Sequence, residues 1–271
     1  MKKKDKGLII AVMNRKGGVG KTTVTVNLGH ALALEKKKVL ILDMDSQVNT
    51  TSRLLPGGNY RNTLYELLES DNNNIRAENC IYPSLYTNLY VLPNIGDTAA
   101  LEPDLIRQQQ KGSFLRLRRR LRDYAKSNYD ITLIDNSPTI GTFVLSSLNC
   151  ADLALIPHEI DSQDSLEGLM NAIKIITDIR ETDNPDLKFL RLLANKVDRR
   201  TNIGRSVVET LHSIFTEEQV FKTSIPINAQ LKEAEAKRET IFRHDGSSSS
   251  AKAFRELARE ILYILKTEYG E

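Results

Sequence analysis

Soft metal ligands are scarce in this sequence. Two cysteines, Cys80 and Cys150, and four histidines are spread over 271 residues, and no Cys-x-x-Cys pair occurs. That argues against a disulfide framework or a zinc site. Long apolar runs are missing as well, since no stretch approaches the ~20 residues of a helical membrane span. The opening residues, Met1-Lys2-Lys3-Lys4-Asp5-Lys6, are basic, but a strand-length segment ending in Arg15-Lys16 follows them. That is not the pattern of a signal peptide, and the expected compartment is the cytoplasm. No interior linker is long or biased enough to split the chain, so residues 1–271 are read as one domain with 1–6 as a tail. The net charge of +3 is too small to establish a nucleic-acid partner by its sum, so the distribution of charge matters more.

What the sequence does have is concentrated in residues 16–23, Lys-Gly-Gly-Val-Gly-Lys-Thr-Thr. Leu8 to Met13 upstream form a short apolar run suited to a buried parallel strand. Downstream, Val24, Leu28, Ala31 and Leu32 recur at helical spacing. Strand, glycine loop and helix together are the context of a phosphate-binding loop. Gly17, Gly18 and Gly20, with Val19 between them, let backbone N–H groups turn inward on an anion, and the helix adds its positive end. In such a loop Lys21 reaches the β- and γ-phosphates, and the Thr22 hydroxyl binds Mg²⁺, with Thr23 beside it. A chance Gly-Lys turn is a remote alternative for an eight-residue match in this context.

The usual pattern, G-x-x-x-x-G-K-[ST], is not met, because Arg15 replaces its first glycine and Lys16 precedes the Gly-Gly pair. This variant resembles the deviant Walker A motif of the ParA/MinD family of ATPases, and the chain is most similar to short, Soj-like ParA proteins. The resemblance implies that Lys16 reaches across a nucleotide-sandwiched dimer to the partner's ATP. Further motifs follow in the family's order. Asp43-Met44-Asp45-Ser46-Gln47 ends a second apolar strand and is similar to D-x-D-x-Q, with Ser46 at the family's proline and Val48 at its glycine. By resemblance Asp45 positions or activates the attacking water and Asp43 lies near the metal's water shell; capping of the next helix stays open for Asp43. Asp135 closes the strand Tyr129–Ile134 in the Walker B manner, holding Mg²⁺ through a water. Asn195-Lys196-Val197-Asp198 matches the guanine-recognition pattern Asn-Lys-x-Asp, but the flanking Arg199-Arg200-Thr201 makes it similar to the ParA loop, where Asn195 lies against adenine. The backbone around Pro226 and Asn228 would complete that adenine pocket, with Ile227 at the family's arginine.

Apolar runs predict strands at 8–13, 39–43, 89–92, 131–135, 153–157, 188–194 and 223–226, alternating with helices. That is an α/β fold, a doubly wound, mainly parallel sheet with helices on both faces. Residues 99–126 read as one long helix whose Arg116, Arg118, Arg119, Arg120 and Arg122 either meet an anionic partner or simply form a solvated, paired face. Residues 53–97 carry no assigned chemistry, with a polar loop at 71–74. Residues 245–250 read as a flexible link before a last docking helix, 251–269. The resemblance implies ATP and Mg²⁺ as cofactors, ATP-dependent homodimerisation, and slow hydrolysis stimulated by a ParB-like or cargo-adaptor protein. It also implies non-specific binding to nucleoid DNA, for which Arg199, Arg200, Arg205, Lys222, Lys232, Arg238 and Arg255 are candidates. A MinD-like membrane-associated positioning ATPase is the alternative.

Overall fold

The computed structural model describes residues 7–69, 75–107, 112–159, 163–198, 211 and 213–270. Among these, seven strands form one sheet: β1 (Leu8–Val12), β2 (Val39–Met44), β3 (Tyr82–Pro83), β4 (Leu89–Leu92), β5 (Ile131–Asn136), β6 (Leu153–His158) and β7 (Lys188–Ala194). Their spatial order is β3-β4-β2-β5-β1-β6-β7. Every neighbouring pair is parallel except the edge pair β3–β4, which the sequence did not announce. The central strands are uninterrupted apolar runs because both faces of the sheet are covered. On β1, Ile9 and Ala11 enter one core while Leu8, Ile10 and Val12 enter the other.

The first core is closed by α5 (Arg116–Asn128), α6 (Thr142–Cys150) and α7 (Gln163–Thr182), through Leu117, Leu121, Leu148, Leu169 and Ile176. The second is closed by α1 (Lys21–Leu34) and α10 (Ser249–Glu268), through Val24, Leu28, Phe254, Leu257 and Ile261. Each such side chain contributes roughly 1.5–3 kcal/mol when fully buried. Shorter helices α2 (Asn49–Leu54), α3 (Leu64–Leu68), α4 (Glu102–Arg107), α8 (Ala229–Ala236) and α9 (Ile241–Asp245) lie around these layers. Register brings the carboxylates together, since both Val12 and Asp43 sit opposite Asp135.

Three expectations are corrected. Residues 223–226 do not form a strand. Val197 and Pro226 make only an isolated bridge, and Pro226 has no N–H with which to extend a ladder. The long helix at 99–126 is two helices. Pro103 suits the first turn of α4, and Gly112 takes a left-handed conformation (φ 68°) that starts a new turn before α5. The 245–250 link is an ordered turn, in which Ser248 caps α10 by accepting from the Ala251 N–H. Four of the α5 arginines follow the paired-face reading, with backbone carbonyls as most of their partners. Arg116 and Arg120 donate to the Leu68 and Leu67 carbonyls at 2.6 and 2.7 Å, and Arg118 donates to the Asn149 carbonyl at 2.9 Å. Arg122 donates to the Cys150 carbonyl and the Asp152 carboxylate. The tail 1–6 and the polar loop 71–74 lie outside the described residues.

Candidate functional site

The glycine loop lies at the carboxyl end of β1, beside those of β2, β5, β6 and β7, where open α/β sheets bind ligands. Its entry is fixed by Asn14, a buried residue that the sequence reading missed. Its side chain donates to the Pro157 carbonyl at 2.9 Å and accepts from the Lys16 N–H at 3.0 Å. Gly18 and Gly20 have φ of 77° and 86°, the left-handed region that favours glycine. Gly20 occupies the N-cap position of α1, yet no side chain caps that helix. The first amides of a helix have no partner within it, so this end is shaped for an anion. A Cβ on Gly20 would fall 2.5 Å from Asn195 Nδ2, which shows how closely the β7 end is packed on the loop.

Lys21 is buried, and its ammonium donates to the Lys16 carbonyl at 3.2 Å across the loop. Burial lowers its pKa, while Asp135 and Asp45 oppose that shift. The Thr22 hydroxyl donates to Asp135 Oδ2 at 2.8 Å, joining two of the three predicted magnesium residues. Hard oxygens of this kind suit Mg²⁺. Asp135 also accepts from the Thr50 hydroxyl at 2.7 Å, and burial pushes its pKa up to about 6 despite those bonds. Asp43 lies beside it, fully buried, with its pKa raised to about 7 by burial first and by Asp135 second. Its oxygens are committed to the Asp45 N–H, the Thr51 N–H and the Thr51 hydroxyl. Asp45 accepts from the Gln47 N–H at Oδ1, and Oδ2 has no partner among the described residues.

Three contributors were missed because they come from the stretch assigned no chemistry or from the start of α2. Thr50 and Thr51 tie α2 to Asp135 and Asp43, and Asn94 donates to the Asp45 carbonyl at 3.1 Å. The Thr50-Thr51 pair, two residues beyond the Asp43–Gln47 motif, was the available signal for two of them.

Next to the loop lies a cavity of about 320 Å³ lined by Gly20, Thr23, Asn195, Pro226, Asn228 and Glu235 among others. The predicted nucleotide residues therefore converge. Asn195 donates to the Val19 carbonyl at 2.6 Å, and Lys196 to the Gly18 carbonyl at 2.6 Å. The Asn228 side chain caps α8 through the Gln230 N–H and donates to Ser249.

A family model described as an AAA domain matches residues 7–189. The sporulation initiation inhibitor protein Soj of Bacillus subtilis is 35% identical over 256 residues, 94% of this chain and 98% of its own. The chromosome partitioning protein ParA of Myxococcus xanthus is also 35% identical, over 94% of this chain and 88% of its own. The chain belongs to the ParA/Soj family of partitioning ATPases. Among solved structures, the cobyrinic acid a,c-diamide synthase of Mycobacterium smegmatis with a bound ATP analogue and magnesium superposes with a TM-score of 0.81 at 26% identity, covering 97% of each chain. The cell division ATPase MinD of Pyrococcus furiosus gives a TM-score of 0.73 at 25% identity, over 95% of this chain and 99% of its own.

The basic residues of this ParA-family ATPase fare unevenly. Lys222, Lys232 and Arg238 are exposed. Arg255 is half-buried. It donates to the Gly246 carbonyl at 2.8 Å and lies over the Phe242 ring. Arg199, Arg200 and Arg205 lie outside the described residues.

Proposed function

We propose that this chain is an ATP-driven dimerisation switch that, when closed, binds DNA without sequence preference and so positions a cargo. The observation that carries the nucleotide part is the uncapped, glycine-led start of α1 facing the Thr22–Asp135 pair and Lys21. When bound, Mg²⁺ held by Thr22 and Asp135 supplies positive charge to the phosphate oxygens of ATP. The chain's own residues do the rest. The amides that open α1 hold the phosphates, and Lys21 leaves the Lys16 carbonyl to bind them. Asp45 Oδ2 accepts a hydrogen from the attacking water, while Asp43 fixes Asp45 through its backbone N–H. Lys16 completes the partner's site, placing a cation where charge develops.

Adenine is favoured over guanine by Asn195. A carbonyl only accepts, so the amide must present its NH₂ to Val19, which leaves Oδ1 as an acceptor for the 6-amino group of adenine, where guanine has a carbonyl that cannot donate. Pro226 and Asn228 border the same cavity.

For the DNA surface, the exposed Lys222, Lys232, Lys237 and Arg238 are the described residues we assign, together with Arg199, Arg200 and Arg205 from the sequence. Contacts of this kind neutralise phosphates and weaken steeply with salt. The test is duplex binding by Lys232→Glu and Lys237→Glu/Arg238→Glu variants with ATP. Uniform weakening across sequences and a shallower salt slope support the surface; wild-type behaviour removes these residues from it. A ParB-like or cargo-adaptor protein is the stimulating partner we favour, acting in the cytoplasm on the nucleoid. The membrane alternative loses ground to α10, whose Phe254, Leu257, Ile261, Ile264 and Leu265 are buried in the core. Among the described residues no helix is long and apolar enough to cross a membrane.

A further inference from the structure

The cavity beside the loop is lined both by Gly20 and Thr23 of the phosphate-binding segment and by Asn195, Pro226 and Asn228, which are assigned to the base. A nucleotide that touches both sets brings its sugar into the same cavity. Glu235, near the end of α8, lines that cavity. Its Oε1 accepts from the Thr23 hydroxyl and lies 3.5 Å from Arg53 Nη1 of α2. That guanidinium nitrogen is buried with no hydrogen-bond partner of its own, so the carboxylate is its nearest source of compensation. A carboxylate oxygen can only accept. The second oxygen of Glu235, Oε2, has no partner among the described residues.

We propose that Glu235 reads the ribose, its carboxylate accepting hydrogens from the sugar hydroxyls while the Thr23 hydroxyl turns to the phosphates. The proposal rests on the ATP reading above and deepens it. A carboxylate is a suitable group for a vicinal diol, as it is where an acidic residue marks the ribose in dinucleotide sites. Without Arg53 the same carboxylate would repel the phosphates. With it, the pair rejects a sugar that lacks its hydroxyls, because the acceptor is then left unpaired next to a buried cation. Arg53 also sits on the helix whose first turn holds Asp43 and Asp135, so the sugar and the magnesium residues share one support.

The test is equilibrium binding, by calorimetry with Mg²⁺, of ATP, 2′-deoxy-ATP and 3′-deoxy-ATP to the full chain and to Glu235→Gln and Glu235→Ala, with thermal melts confirming folding. Wild type is expected to prefer ATP over at least one deoxy analogue by about tenfold to a hundredfold, the range of a hydrogen bond to a charged group. In Glu235→Ala that ratio falls to about one, and Glu235→Gln lies between. An unchanged ratio in the variants overturns the proposal, even if all affinities fall together, since that is the behaviour of a structural brace. Equal affinities in wild type also overturn it while leaving the ATPase reading intact. Failure of wild type to bind any of the three overturns both.

Discussion

At the scale of single residues, the site holds three carboxylates close to one lysine, and its design works against its own stability. Asp135 keeps its proton up to about pH 6 in the folded chain, against an ordinary 3.8. Between those values the unfolded chain gives up a proton that the native state retains, so native stability falls as pH rises through this window. Asp135→Asn should relieve the cost. Its amide oxygen still accepts from Thr22 and Thr50, and its NH₂ can donate to the Thr25 hydroxyl, whose own hydrogen goes to the Lys21 carbonyl. The variant should match wild type near pH 4 and be about 1–3 kcal/mol more stable at pH 8 by urea unfolding without nucleotide. It should also lose the extra stability that Mg²⁺ and nucleotide give. A variant less stable at pH 8 would contradict the account of carboxylate crowding. Lys16 carries a different prediction, because its backbone shapes the loop, its N–H donating to Asn14 and its carbonyl accepting from Lys21, and both contacts survive truncation of the side chain. Lys16→Ala should bind nucleotide within a few-fold of wild type yet lose hydrolysis by about 10³-fold or more, as loss of an arginine finger does. Turnover assays and sedimentation with ATP check this; unchanged turnover would remove Lys16 from the partner's site.

At the scale of elements, charges and caps decide how α5 and α10 are used. Asp152 accepts from Arg122 at 2.5 Å and Lys126 at 2.8 Å on α5, and from the Ile9 N–H of β1 at 2.9 Å. The Arg122 and Asp152 side chains are only 13% and 12% exposed, so removing one partner strands a largely buried charge. Asp152→Ala should therefore cost about 3–5 kcal/mol in urea unfolding. A loss below 1 kcal/mol would restore the α5 arginines as candidates for an anionic partner. The α10 helix gives the matching result for the membrane alternative. Ile261, Ile264 and Leu265 are buried against the sheet side of the molecule. Deleting 260–271 should unfold or severely destabilise the chain, seen as loss of a cooperative melt, instead of producing a folded protein that merely leaves vesicles. A truncated chain that melts normally and differs only in vesicle binding would favour the membrane reading.

At the scale of the whole molecule, what was legible in the sequence was what is written in contiguous residues. Lys16–Thr23, the Asp43–Gln47 motif and Asp135 could be found because each is a short string at the end of an apolar strand. The doubly wound sheet followed from the same runs. Pro226 and Gly112 misled because a single proline or glycine ended a run that periodicity alone carried through. Thr50, Thr51 and Asn94 stayed hidden because their chemistry appears only when α2 and the β4 end fold over β2 and β5. Glu235 is further still, 212 positions from the Thr23 hydroxyl it accepts from. The central claim is that nucleotide state sets the DNA affinity of the closed dimer. The most direct measurement is binding to non-specific duplex DNA with ATP, ADP or no nucleotide, for wild type and Asp45→Ala, at two salt concentrations. Asp45→Ala with ATP should bind tightly, lose affinity steeply as salt rises, and release DNA when ADP replaces ATP. If neither protein binds DNA in any nucleotide state, the DNA-tethered switch is contradicted, and the exposed basic residues are ordinary solvated surface.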